Sequence, residues 1–240
     1  MNIPFSTPEE AIAHFGITTD EADFKRIEDI RTSLRASGRV LSYKDYGAGQ
    51  PQMQLSAEQM YEGRTVEKEL NEVCGWGMKG SWAAFMYGMT GYYKPAKVLE
   101  LGTCCGFSSA YMALGNPQSS IVTIEGAPEI SAVAAEVHKT LDISNIERVV
   151  GRFSDVLGDV LSKYGHFDLV FIDGHHAYEP TVNYFRTIKP YAAGAHIIFD
   201  DISWSDGMKQ AWREIISDSS VSCYMDMGKA GLIITGCKED

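Results

Sequence analysis

Residues 96–108 read Ala-Lys-Val-Leu-Glu-Leu-Gly-Thr-Cys-Cys-Gly-Phe-Ser. The run AKVLELG (96–102) is almost continuously apolar, the signature of a strand buried on both faces. It ends on Gly102, a second glycine follows at Gly106, and a helical pattern begins at Ser108 and runs to Leu114. Gly102 and Gly106 permit a tight turn and close approach of backbone to a ligand. The helix start beyond them offers free N–H groups and the positive end of a dipole to a carboxylate or phosphate. The spacing is E-x-G-x-x-x-G, which departs from the compact G-x-G-x-x-G turn that cradles a dinucleotide pyrophosphate.

The same unit recurs downstream. The runs SIVTIEG (120–126), IERVVG (146–151), FDLVFIDG (167–174) and AHIIFDD (195–201) alternate with helical segments over 128–141, 155–164, 178–188 and 206–217. Strand–helix alternation of this kind predicts an α/β fold with a parallel sheet and right-handed crossovers. VSCYMDM (221–227), a Gly-rich turn (228–231) and LIITG (232–236) predict an antiparallel hairpin at one edge. Upstream of residue 90 the texture is polar and helical. Thr7-Pro8-Glu9-Glu10 marks a helix start. A second helix is expected over 21–35, a loop over 45–51, and a third helix over 57–73. The stretch carrying Trp76, Trp82, Phe85 and Tyr87 reads as a helix packed on the sheet. Residues 1–75 are accordingly expected to form a helical cap or a dimerisation segment, which leaves a homo-oligomer open, and residues 76–240 the α/β domain.

Composition narrows the function. The 240 residues carry 21 Lys+Arg against 32 Asp+Glu, a net charge of −11. That balance speaks against a nucleic-acid partner, whose phosphates need basic clusters. No apolar run approaches the roughly 20 residues that span a bilayer, and the first residues lack the pattern of a secretory signal. The five cysteines form no disulfide or zinc framework. Cys104 and Cys105 read as reduced and buried, so the expected compartment is cytoplasmic.

Two further groups carry chemistry. Glu125 ends the second strand about 20 residues beyond the Gly-rich turn, where an acid can hold both hydroxyls of a ribose. Asp173-Gly174-His175-His176 ends the fourth strand and Asp200-Asp201 the fifth. Three carboxylates at one sheet edge repel one another unless a cation compensates. An all-oxygen set suits Mg²⁺, or Mn²⁺ or Ca²⁺, so Asp173, Asp200 and Asp201 are candidate metal ligands. His175 or His176 is the candidate general base. Asp45-Tyr46-Gly47-Ala48-Gly49 is followed at once by Pro51 and reads as a surface loop, although Tyr43 and Tyr46 could cover a substrate site.

With these residues in place, the chain resembles the class I S-adenosylmethionine-dependent methyltransferases over about residues 75–240. VLELGTCCGFSSAYMA (98–113), VTIEG (122–126), FDLVFIDGHHAYE (167–179) and HIIFDD (196–201) are similar to catechol O-methyltransferase, and the later part also to macrocin- and novobiocin-type O-methyltransferases. The resemblance implies a Rossmann-like, doubly wound, mostly parallel seven-stranded sheet. It implies Glu100, Gly102 and Thr103 along the methionine moiety of the cofactor, with Ser108 near its carboxylate. It further implies Glu125 on the ribose, Phe153 and Ser154 beside the adenine, Asp173 facing both metal and cofactor amine, and Asp200 and Asp201 completing the metal site. The expected activity is O-methylation of a small molecule with adjacent oxygens. The base does not carry over, because the catechol enzyme has Lys where His176 stands and the sugar enzymes an acid where His175 stands. The rivals are a metal-independent N- or O-methyltransferase, an NAD(P)-dependent dehydrogenase and a non-catalytic S-adenosylmethionine-binding protein.

Overall fold

Thr7 starts the first helix, α1 (Pro8–Phe15): its hydroxyl accepts the Glu10 N–H, and Pro8 supplies the first helical residue. The computed structural model describes residues 3–18, 22–49, 53 and 55–236. Glu21, Gln50 and Pro51, which bound the expected second helix and loop, lie outside them. α2 (Ala22–Arg35) is followed by β1 (Val40–Asp45), α3 (Ala57–Glu62), β2 (Arg64–Glu69) and α4 (Leu70–Trp76). The expected helix over 57–73 is therefore interrupted. Gly63, at φ 70 and ψ 154, ends α3, and Arg64–Glu69 alternates half-buried and exposed residues with the period of a strand. β2 pairs antiparallel with β1, Val40 opposite Glu69 and Asp45 opposite Arg64.

The remaining elements are α5 (Ser81–Tyr93), β3 (Lys97–Leu101), α6 (Phe107–Gly115), β4 (Ser120–Glu125), α7 (Pro128–Thr140), β5 (Ile146–Val150), α8 (Phe153–Tyr164), β6 (Leu169–Ile172), α9 (Tyr178–Ile188), β7 (His196–Phe199), α10 (Asp206–Ile216), β8 (Val221–Asp226) and β9 (Gly231–Thr235). They build the expected seven-stranded sheet, in the order β5-β4-β3-β6-β7-β9-β8. β3 to β7 run parallel, while β9 is antiparallel to both β7 and β8. Strand order reverses at β3, between β4 and β6, and in open α/β sheets ligands bind beyond the strand carboxyl ends at such a point.

Strand residues divide between two apolar layers. Val98, Ile121, Phe171 and Ile198 pack with residues of α1, α2, α4, α5, α6 and α7. Leu99, Val122, Val170 and Ile197 pack with α8, α9 and α10. The N-terminal helices thus share one core with the sheet, and the β1–β2 pair lies against α7. Among the described residues no helix is long and apolar enough to cross a membrane.

Candidate functional site

The turn after β3 is held from three sides. Gly102 and Thr103 donate their N–H groups to the Ile124 carbonyl of β4 (3.0 and 3.2 Å), and Asp173 donates to the Leu101 carbonyl (2.8 Å). Gly102 sits at φ +106, and a Cβ there would lie 1.9 Å from the Asp173 carbonyl oxygen, so glycine is required by both backbone and space. Gly106, at φ +81, lets α7 approach; a Cβ would meet His138 Nε2 at 2.6 Å and the Ala134 Cβ at 2.9 Å. Glu125 clasps the turn to β4: its carboxylate accepts the Cys104 and Ala127 N–H groups, both at 2.9 Å. The Gly126 N–H also bonds this carboxylate, and of its four lone pairs one remains for a hydroxyl.

Beneath the turn lies a buried polar network. The Glu100 side chain has no exposed surface and accepts the Ser108 and Thr123 hydroxyls, each at 2.5 Å. Thr103 Oγ1 meets Thr123 Oγ1 at 2.5 Å. Burial outweighs these bonds and lifts the Glu100 pKa to about 7. The side chains of Glu100, Thr103 and Ser108 therefore support the turn from inside. Of the turn residues, Gly102 and Cys104 remain partly accessible, so a methionine moiety would meet their backbone rather than the Glu100 carboxylate.

A second wall forms beyond β6. The Phe153 ring packs on Tyr184 (5.5 Å between centroids) and His175 (6.4 Å). It also abuts Gly174, where a Cβ would fall 2.6 Å from it. Ser154 is exposed and hydrogen-bonds Asp155 at 2.9 Å. The His175 Nδ1 is 2.7 Å from the Tyr184 hydroxyl, and burial presses its pKa down to about 4. The Asp45–Gly49 stretch, expected as a surface loop, closes this corner. The Ala48 N–H donates to the His175 carbonyl (3.1 Å), and the Tyr46 ring covers Gly126, where a Cβ would lie 2.8 Å from it.

The acid cluster assembles at the ends of β6 and β7. Asp200 is only 5 % exposed, and both its oxygens contact Lys229 Nζ, at 2.5 and 2.6 Å. Asp201 Oδ1 is 3.5 Å from the same nitrogen. Asp173 Oδ1 is 3.6 Å from His176 Nε2. Burial first, and then the negative charge of Asp200, hold the Asp173 pKa well above the carboxylate range. Burial works against the Lys229 charge, but Asp200 and Asp201 outweigh it and raise the Lys229 pKa. Burial also lowers the His176 pKa, so that imidazole is neutral at pH 7.

This arrangement differs from the expected magnesium site. The Asp200 oxygens are occupied by an ammonium, and among the described residues no three His, Cys, Asp or Glu side chains converge as metal ligands. Sequence reasoning missed Lys229, although a signal existed. β9 returns antiparallel to β7 with Gly231 opposite Phe199, so the residues just before β9 must reach the edge where Asp200 and Asp201 sit.

The sheet order and the clasped turn after β3 define a Rossmann-like α/β fold. Residues 99–202 match the family model described as "Methyltransferase domain". The catechol O-methyltransferase of Mycobacterium tuberculosis is 34 % identical over 127 residues, covering 52 % of this chain and 56 % of that protein. The Sus scrofa catechol O-methyltransferase is 34 % identical over 84 residues, covering 33 % and 45 %. The chain thus spans about half of the length of these curated relatives. Among solved structures, a Streptomyces achromogenes O-methyltransferase involved in tomaymycin synthesis, in complex with SAM, shares 20 % identity at a TM-score of 0.57, covering 67 % of this chain and 82 % of that one. A Bacillus cereus O-methyltransferase in complex with SAH shares 16 % identity at a TM-score of 0.60, covering 95 % and 100 %. The chain is thus similar over part of its length to methyltransferases, and it shares its fold with these two O-methyltransferase structures.

Proposed function

We propose that this protein transfers the methyl group of S-adenosylmethionine to a hydroxyl of a small molecule with adjacent oxygens. The observation that carries the reading is the Gly102–Gly106 turn clasped by Glu125 at the switch point of the sheet. In this reading Glu125 receives a ribose hydroxyl and Phe153 flanks the adenine. The backbone of Gly102 and Cys104 lines the methionine end, and Asp173 takes its amine.

His176 is the better placed of the two candidate bases. His175 is packed on Phe153 and committed to Tyr184. His176 instead lies beside Asp173 and within the field of Asp200 and Asp201. A neutral imidazole there can accept the hydroxyl proton. The oxygen then attacks the sulfonium methyl in line: the O–C bond forms, the C–S bond breaks, and S-adenosylhomocysteine leaves. Positioning supplies much of the rate. No step passes through a divalent metal, because the Asp200 oxygens that would bind one hold Lys229.

The test is calorimetric titration of S-adenosylhomocysteine into wild type and Glu125→Gln, followed by methyl transfer to a panel of catechols and diols. The amide nitrogen of Gln cannot accept an N–H or a hydroxyl proton, and losing one hydrogen bond to a charged acceptor should weaken binding by roughly tenfold. Wild-type protein that ignores S-adenosylhomocysteine would sink the reading.

A further inference from the structure

We propose that Lys229 is the resident cation of the Asp173–Asp200–Asp201 cluster, in the place of a divalent metal, and that it holds the acceptor oxygen during methyl transfer. Three carboxylates gathered at one sheet edge need positive charge nearby. Lys229 Nζ supplies it, 2.5 and 2.6 Å from the two oxygens of Asp200 and 3.5 Å from Asp201. A magnesium ion binds its oxygens at about 2.0–2.1 Å and demands a near-octahedral shell. An ion at that distance from Asp200 would collide with the ammonium, so metal and Lys229 exclude each other.

The lysine is built into this position. Its carbonyl accepts the Ile202 N–H at 2.9 Å, which ties its backbone to the segment carrying Asp200 and Asp201. The turn bearing it is closed by Gly228 N–H to Asp226 Oδ1 (2.8 Å), Lys229 N–H to the Met227 carbonyl (3.0 Å) and Met227 N–H to the Ala230 carbonyl (2.9 Å). The Trp82 ring centroid lies 5.8 Å from Nζ. An ammonium carries three donors. Two are directed at Asp200, while the side chain stays 43 % exposed, which leaves the third for an incoming oxygen. A hydroxyl held there lies at the same sheet edge as His176. The oxygen-holding half of this inference rests on the methyl-transfer reading; the cation half does not.

Terbium(III), an oxygen-seeking ion whose emission nearby tryptophan sensitises, is the probe, and Trp82 is the local donor. Full-length wild type, Lys229→Met, Lys229→Gln and Lys229→Met/Asp200→Asn are titrated with terbium and challenged with Mg²⁺, and S-adenosylhomocysteine binding is measured on each. Wild type is expected to show no saturable emission. Lys229→Met is expected to gain it, and the added Asp200→Asn to lose it again. Lys229→Gln repeats the test if the apolar variant misfolds by circular dichroism. Saturable, Mg²⁺-competed emission from wild type would overturn the proposal. So would a folded neutral variant that gains no site. Methyl transfer by wild type should be unchanged by EDTA and lost in Lys229→Met with cofactor affinity retained. If S-adenosylhomocysteine fails to bind wild type, it is the methyl-transfer reading that falls, and the terbium result still decides what occupies the cluster.

Discussion

Replacing Glu100 by Gln should remove a pH dependence from the stability of the fold. Glu100 is fully buried between β3 and α6, and its pKa rises from 4.5 to about 7, chiefly through burial. A raised carboxyl pKa means that the folded state prefers the protonated form. The corresponding stability is present in full below pH 4.5 and is lost as pH rises through about 7. At about 1.4 kcal/mol per tenfold change in proton affinity, the loss totals about 3 kcal/mol. Gln keeps one acceptor oxygen for Ser108 or Thr123 and cannot ionise. The assay is denaturant unfolding of both proteins at a series of pH values from 4 to 8. Wild type should lose stability relative to Glu100→Gln by about 3 kcal/mol across that series. Other titrating groups act on both proteins and cancel in the difference. Parallel stability curves would refute the argument, since they would mean that the carboxylate is solvated or ionised throughout.

Gly102→Ala places a methyl group 1.9 Å from the Asp173 carbonyl at φ +106, so it should lower Tm and abolish S-adenosylhomocysteine binding, with roughly 1–3 kcal/mol from backbone strain alone; an unchanged melting curve would contradict this. His176→Ala should cut kcat by roughly 10²–10⁴-fold with cofactor affinity retained. His175→Ala should act mainly through stability, because its ring packs on Phe153 and bonds Tyr184; the reverse ranking in steady-state assays would exchange their roles. Tyr46→Ala uncovers Gly126 beside Glu125, the proposed ribose acid, and should raise the S-adenosylhomocysteine Kd roughly fivefold, equivalent to about 1 kcal/mol, by calorimetry.

The seven-stranded sheet was legible because each of its parallel strands is a local signal: a short apolar run bounded by glycine or acid and followed by a helical period. The Arg64–Glu69 strand was not. It is polar, lacks an apolar run, and takes its conformation from pairing with Val40–Asp45, some two dozen residues upstream. Only Gly63 marked the break, and a lone glycine is weak evidence inside a helical pattern. The Asp45–Gly49 stretch posed a related problem. Its chemistry reads as a loop in isolation, and what brings it onto Gly126 and His175 is the docking of β1 against α7, a contact between segments far apart in sequence.

At the site, the sequence located the ends of the strands but not the direction of each side chain. The parity of a strand can supply part of that direction. In β3, Leu99 and Leu101 join the layer beneath α8 to α10, whereas Val98 joins the layer beneath α6 and the N-terminal helices. Glu100 has the parity of Val98 and must point under α6, where Ser108 awaits it. An acid at that position therefore acts by fastening the helix start to β3 and, through Thr123, to β4. The same reasoning applies to the other end of the sheet. Once β9 is known to run against β7, a basic residue just before β9 must arrive beside any acid just after β7. The charge that balances Asp200 and Asp201 is thus encoded about 29 residues downstream of Asp200, in a turn whose composition alone reads only as glycine-rich and exposed.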